Sequence, residues 1–347
     1  MLDLALSDEQ EQLHQTVRAL FEKESGIELV REVEPLGFSP RLWEQVTSLG
    51  LVEMAVPERH GGGGAGLLDA TLVAEVAGEF LAPVPLGESV VAGRLLAHLG
   101  TEEALAVLGE AIGQGLVTSL ALALPTGDEL PWVPAGAVAH RIMARRGGCV
   151  LASEDAPPGV AVPNLGSLPL AHRSLAGAVV LAEGPRAIEA VQRGRDEWRV
   201  LTAAWLVGAG LRALRIAVDY TTGRRAFGVP IASYQSVAHR MADIATGLDG
   251  ALLLTRKAAW AADEDGPRRH ELALMAAAFA GEVAEQAATE ALHFHGGYGF
   301  MLEYDIQLYL RRIKAFTLLN GDPAHELQRL AGELWGAPQP ESGFDDQ

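Results

Sequence analysis

The chain has 347 residues, 49% of them apolar and 6% aromatic, enough to bury sizeable cores and too many for a mostly disordered protein. Asp and Glu number 45 against 27 Lys and Arg, a formal charge of −18 that repels phosphate backbones and anionic lipid, so neither nucleic acid nor a membrane surface is expected as a partner. Cys149 is the only cysteine, which leaves no intramolecular disulfide and no cysteine-based metal cluster.

The first residues, Met1-Leu2-Asp3-Leu4, are acidic and lack the basic and apolar regions of a secretory leader. Apolar runs such as Leu272–Ala280 fall short of the ~20 residues of a membrane span, so the expected location is cytoplasmic. Ser7 and Gln10 stand at capping-box spacing, and Leu13, Val17, Leu20 and Phe21 follow at helical intervals. Leu42, Val46 and Leu49 predict a second helix, and Leu67–Phe80 and Val90–Leu99 two more. The glycines Gly61–Gly64 between them have no Lys-Ser/Thr pair after them and no buried strand before them, so they read as a turn rather than a phosphate cradle.

From about Gly115 the pattern becomes β-like. Val117–Leu124, Gly148–Ala152, Gly159–Val162 and Ala176–Ala182 are short apolar runs separated by Pro, Gly and Asp. Helical periodicity then returns with Leu201, Trp205, Gly208, Leu211 and Val218, and with Val237, Met241, Ile244, Leu248 and Leu252. Glu271–Phe294 and Tyr304–Leu319 complete four helices, and the tail is expected to be disordered. The predicted class is α+β and mostly α: a helical domain over 1–115, a small, truncated β domain over 116–195, a four-helix bundle over 196–335 and a tail over 336–347. No regular β–α alternation and no G-x-G-x-x-G after a strand supports a Rossmann fold.

Two strings carry more specific information. Arg224-Arg225-Ala226-Phe227-Gly228-Val229-Pro230-Ile231, followed by Tyr234-Gln235, is similar to the R-x-x-F-G-x-P-I…[FY]-Q signature of the acyl-CoA dehydrogenases. His295-Gly296-Gly297-Tyr298-Gly299, then Glu303 and Tyr309-Leu310-Arg311-Arg312-Ile313-Lys314, resembles the same family's H-G-G-x-G…E…Y-x-R-[DR]-x-K run. Ser7-Asp8-Glu9-Gln10, Ala55-Val56-Pro57-Glu58 and Gly61-Gly62 fall in the family's order, so the resemblance spans nearly the whole chain. It implies a helical N-terminal domain, a barrel-like middle domain, a four-helix bundle and FAD. It also implies an acyl-CoA substrate, an electron-transfer acceptor and oligomerisation, since in the family the two strings meet one flavin from different subunits.

The residue chemistry suits that implication. Arg224 offers a forked cation to a pyrophosphate, and Gly296-Gly297 lets main chain come close to it. Phe227 would pack near the flavin or adenine, Gln235 has both a donor and an acceptor, and His293 would contact adenine or simply pack. Asp196 and Arg199 match the family's acid and arginine that contact the acyl-CoA from the start of the first bundle helix, three residues apart on one face.

The departures concern catalysis. Desaturation needs a carboxylate to take the α-proton while the flavin takes the β-hydride. Asn320 stands where the family's usual glutamate would be, and Trp198 and Trp205 fill its two alternative positions. Asp322 and Glu197 are the nearest substitutes by sequence, while Glu303 matches a family glutamate with a structural role. In the middle domain Leu124-Pro125-Thr126-Gly127-Asp128 lacks the acid of the family's flavin-ring loop, and no W-I-T or W-I-S occurs. The expectation is therefore a non-catalytic partner in an α₂β₂ complex of the short actinobacterial type, completing a FAD site held mainly by a homologous subunit and acting on bulky, including steroid, CoA thioesters. Two other readings stay open: a self-sufficient homo-oligomeric flavoenzyme with an atypical base such as Asp322, and a flavin-free thioester binder or scaffold. His293 and His295 are two apart and lack carboxylates at ligand spacing, so no metal is expected. No serine lies in a G-x-S-x-G elbow, so a serine hydrolase is not supported either.

Overall fold

The computed structural model describes residues 5–154, 156–319 and 321–336. Asn320 and, from 337 onward, the tail expected to be disordered lie outside the described residues. The chain opens with helices α1 (Asp8–Glu24), α2 (Ile27–Glu32), α3 (Pro40–Ser48), α4 (Leu67–Glu79), α5 (Leu86–Leu99) and α6 (Glu102–Gln114). The capping box forms as its spacing predicts: Gln10 N donates to Ser7 Oγ, and Ser7 N donates to Gln10 Oε1 at 3.1 Å. Helix α6 was not anticipated, although its signals are present. Thr101 caps it, Glu102 and Glu103 fill the first turn, and left-handed Gly115 ends it. Gly61–Gly64 form a turn folded tightly onto residues 53–56, where a Cβ on Gly62 would lie 2.2 Å from the Val56 carbonyl oxygen.

The middle unit has a four-stranded sheet ordered β1 (Thr118–Leu120), β3 (Arg141–Arg146), β4 (Cys149–Ser153), β6 (Val179–Glu183), with β1 and β3 parallel and the other pairs antiparallel. A second, antiparallel pair joins β2 (Glu129–Val133) to β5 (Ala171–Ser174) around an irregularity between Leu130 and Val133. The expected strand at Gly159–Val162 is a loop. Pro157-Pro158 and Pro163 bracket it, and prolines give a ladder no donors.

The bundle starts earlier than expected. Helix α7 runs Pro185–Gly223, so the boundary at 195/196 falls inside a continuous helix. Glycine at Gly184, with φ +86, and Pro185 at the first helical position turn the chain out of β6 and into α7. After a short hairpin, β7 (Arg225–Ala226) and β8 (Val229–Pro230), come α8 (Gln235–Asp263), α9 (Arg269–His295), α10 (Ile306–Leu318) and α11 (Pro323–Trp335).

Helix α7 is the axis of the molecule, packing on α9, α8, α4 and α5. By length and apolarity alone it would cross a membrane, which the sequence had not suggested, but 67% of its apolar window is buried inside the fold. Glycines set its crossing with α4. A Cβ at Gly208 would stand 1.8 Å from the Glu75 carbonyl oxygen, and one at Gly78 would stand 2.0 Å from that of Trp205. Backbone therefore lies on backbone at the joint between the N-terminal domain and the bundle.

Candidate functional site

The resemblance motifs converge on one end of the bundle. Helices α7, α8 and α9 run antiparallel in turn, so the C-terminus of α7, the N-terminus of α8 and the C-terminus of α9 share that end. Tyr220 near the end of α7 stacks on buried His295 at the end of α9, with ring centroids 4.0 Å apart. Near the start of α8, Arg240 Nε donates to Glu290 Oε1 of α9 at 3.1 Å.

The hairpin between α7 and α8 carries its turn on Phe227 and Gly228, with φ of +51° and +86°. A two-residue hairpin turn with both central residues left-handed matches the strand twist, but an aromatic residue there is strained. The Phe227 ring is also 98% exposed, so neither packing nor backbone preference within this chain explains it. Arg224 caps α7 and is exposed, and no described side chain pairs with its guanidinium. Gln235, the first residue of α8, is exposed as well.

On the other arm, Gly296 ends α9 at φ +60° and ψ −141°, a conformation for glycine, and a Cβ at Gly296 or Gly297 would meet nothing within 4 Å. His293 is exposed and lies 3.8 Å from Glu290. An unpaired cation, an open two-glycine turn, a projecting ring and a free amide fit the pyrophosphate and adenine end of a flavin dinucleotide. Within one chain all of them face open surface.

Asp196 and Arg199 sit differently from the expectation. They lie well inside α7 and are 5% and 2% exposed. Arg199 Nη1 donates to Asp196 at 3.1 Å and its Nε to buried Glu326 of α11 at 2.8 Å, while His270 Nδ1 of α9 lies 2.9 Å from Asp196. The acids and the histidine occupy the guanidinium and the carboxylate, so the pair ties α7, α9 and α11 together and presents little to a ligand.

The substitutes for the missing base are also engaged. Asp322 is the N-cap of α11, accepting from His325 N at 2.9 Å, and that hydrogen bond holds its carboxyl below the usual range. Glu197 faces α5, where Arg94 takes both oxygens at 2.9 Å and Arg193 adds a third bond. Burial alone would push Glu197 up, but the two arginines outweigh it and hold its pKa below the ordinary value. Glu303 is exposed.

Trp205 and Phe316 pack ring against ring, tilted by 35° with centroids 4.1 Å apart, on one wall of a cavity of about 40 Å³, where the N-terminal, middle and bundle domains meet. Leu319, next to position 320, lines it too, and so does Glu88 from the first turn of α5. Sequence reasoning missed half-buried Glu88, because nothing in its local pattern places it on a cavity wall. A larger cleft of about 460 Å³ along α1 and α7 is lined by His14, Arg18, Glu75 and Glu79, and Arg18 and Glu79 pair with each other there.

Helical N-terminal domain, small β unit and helical bundle, with two flavin-type motifs at one bundle end, define a protein of the acyl-CoA dehydrogenase class. Comparison with known proteins agrees. Residues 7–108 match the acyl-CoA dehydrogenase N-terminal domain and residues 188–334 the acyl-CoA dehydrogenase C-terminal domain. The acyl-CoA dehydrogenase IpdE2 of Mycolicibacterium smegmatis is 31% identical over 333 residues, covering 95% of this chain and all of that protein. Among solved structures, the Tcur3481-Tcur3483 steroid ACAD superposes with a TM-score of 0.84 at 26% identity, over 93% of this chain and 97% of that one. The ChsE4-ChsE5 complex of Mycobacterium tuberculosis gives 0.85 at 24% identity, over 97% and 100%, a likeness of fold. The chain belongs to the acyl-CoA dehydrogenase family, whose members are oxidoreductases acting on CH–CH bonds with flavin.

Proposed function

We propose that this chain is a partner subunit of a flavin-dependent acyl-CoA dehydrogenase complex, completing a FAD site that it shares with a homologous subunit. The observation that carries this reading is the exposure of Arg224, Phe227, Gln235 and the Gly296-Gly297 turn at one bundle end, with Phe227 strained and 98% exposed. A ligand held there by one chain would stay half in water, whereas a second subunit closing over it removes the solvent that weakens charge-assisted hydrogen bonds.

In this reading Arg224 binds a pyrophosphate oxygen pair, Phe227 packs on the adenine side, Gln235 orients the dinucleotide, and the glycine turn lets main chain approach it. A flavin, when bound, accepts the β-hydride of the thioester. The departures in the middle domain support a site whose ring end is furnished mainly by the other subunit. There Leu124 stands in the loop that the family uses for the ring, and Asp128 is bound to Arg146 at 2.6 Å. A bulky CoA thioester, such as a steroid side chain, is the proposed substrate class, supported by the steroid ACAD among the structural relatives. Reduced flavin would pass its electrons to an electron-transfer acceptor.

The test is to express the chain alone and together with a homologous acyl-CoA dehydrogenase subunit encoded beside it, and to record visible flavin absorption. Colour only on co-expression is expected. Yellow protein from the chain alone refutes the shared site, and colourless protein in both cases favours the flavin-free thioester binder.

A further inference from the structure

Two arms carry the exposed groups of the bundle end, and each is fixed at its root beside an aromatic ring. Arg224 N donates to Tyr220 O at 2.8 Å, and Arg224 O accepts from Ile231 N at 2.8 Å, so the main chain bearing the guanidinium is held from both sides. On the other arm Gly296 follows His295 directly, and the short 3-10 turn Gly296–Phe300 folds back over the last turn of α9. A Cβ on Gly299 would lie 2.8 Å from Leu292 O and 3.2 Å from the His295 Cβ, so the glycine turn rests on His295 itself.

The two roots touch. Tyr220 and His295 stack with ring centroids 4.0 Å apart and planes 24° from parallel. His295 Nδ1 lies 2.7 Å from the Ala291 carbonyl oxygen, which can only accept, so Nδ1 carries a proton and the ring cannot swing without losing that bond. Tyr304 packs edge-on against the same histidine at 6.0 Å, and Tyr298 reaches Tyr304 at 5.7 Å. Rings thus run from the end of α7, across the end of α9, to the loop that follows the glycine turn. His295 is 4% exposed, so its side of the stack is shielded from water.

What these rings back is open surface. Arg224 and Phe227 project into solvent, and a Cβ at Gly296 or Gly297 would meet nothing within 4 Å. Rigid backing behind exposed groups is the arrangement of a binding face that must keep one spacing. A forked cation and a main-chain turn can grip one pyrophosphate at a fixed separation and lose that grip when either arm drifts.

We infer that the Tyr220–His295 stack is the joint that sets the spacing of Arg224 and the Gly296-Gly297 turn, and that both rings are positioning residues for a dinucleotide pyrophosphate, acting through those two arms. This deepens the shared-flavin reading and rests on it for the ligand. The joint itself rests on the geometry of this chain alone.

The experiment compares wild type with Tyr220→Leu, Tyr220→Phe, Arg224→Ala and the double variant Tyr220→Leu/Arg224→Ala. Tyr220 is half-buried and leucine keeps an apolar side chain there, so the variants are expected to fold. The complex with the homologous subunit is stripped of flavin and titrated with FAD, following flavin fluorescence. Tyr220→Leu is expected to weaken FAD binding about tenfold and Arg224→Ala on the order of 30-fold. Tyr220→Phe keeps the ring and should stay within about twofold of wild type. In the Arg224→Ala background, Tyr220→Leu should cost less than about threefold, because the ring acts through the arginine. A Leu variant within twofold of wild type, equal losses in both backgrounds, or a Phe variant as weak as Leu overturns the positioning role. Hydrogen exchange of the chain alone gives a readout that needs no flavin. There Tyr220→Leu should speed exchange of the Arg224, Ile231 and Met301 amides at least about fivefold and leave α1–α6 within about twofold. Unchanged exchange in either arm overturns the joint. A complex that takes up no FAD sinks the shared-flavin reading, and the exchange result then decides the joint by itself.

Discussion

Replacing Arg199 by Met tests whether the Asp196–Arg199 pair is a ligand contact or a structural joint. Arg199 is 2% exposed, and its guanidinium sits between Asp196 at 3.1 Å and Glu326 at 2.8 Å. Methionine keeps much of the volume but takes the Arg199 cation away from buried Glu326, and leaves Asp196 with His270 and Gln192 among its partners. Breaking a buried pair from one side costs about 3–5 kcal/mol, mostly from the charge left behind. At roughly 1.4 °C per kcal/mol for a chain of this size, the melting midpoint falls by about 4–7 °C. Differential scanning calorimetry or thermal circular dichroism reads the shift. The double variant Arg199→Met/Glu326→Gln should recover a large part of it, since the buried negative charge is then gone. A single variant that melts within about 1 °C of wild type, while weakening acyl-CoA binding, would refute the structural reading and return the pair to the ligand.

Other substitutions probe the joint, the cavity and the exposed bundle end. Gly208→Ala forces a Cβ to 1.8 Å from the Glu75 carbonyl oxygen and should destabilise by about 3 kcal/mol or more. Gly109→Ala on α6, with nothing within 4 Å, should instead stabilise by about 0.5–1 kcal/mol in the same melting assay. With Glu88 at about 7 when folded and at its ordinary value of 4.5 when unfolded, the folded chain keeps a proton that the unfolded chain releases, so stability falls as pH rises from 4.5 to 7. Glu88→Gln removes that fall, matching wild type near pH 4 and exceeding it by up to about 3 kcal/mol at pH 8; parallel pH profiles would contradict it. Arg224→Ala should leave the melting midpoint of the chain alone within about 1 °C, because its side chain is exposed, and lower the flavin content of the co-purified complex, read from visible absorption.

The motifs at one bundle end were legible because each is local. The Arg224–Gln235 string encodes a hairpin and a helix start, and Gly296-Gly297 a helix end, so short-range backbone chemistry fixes them whatever lies around. Domain order was legible for the same reason, since hydrophobic period distinguishes helix from strand. The start of α7 was not, because Pro185–Arg195 carries charges at intervals that look like a surface segment, and only packing on α5, where Gly194 meets Val91 and Leu95, shows one face of it to be buried.

What the sequence determined alone was the family, the helical–β–helical order and the motifs that meet at one bundle end, together with the side chains that stand at the three positions the resemblance marks for a base. What only tertiary structure decided was the state of each carboxylate. Asp196, Glu197, Glu326 and Glu88 look alike along the chain, yet Glu197 and Glu326 are held by arginines from distant segments, Asp196 by Arg199 three residues on, and Glu88 by no described side chain. An ionisable group's chemistry is set by its desolvation and by the charges within a few ångströms. Those neighbours lie 103 residues away for the Arg94–Glu197 pair and 127 for Arg199–Glu326, a distance that no local pattern can record.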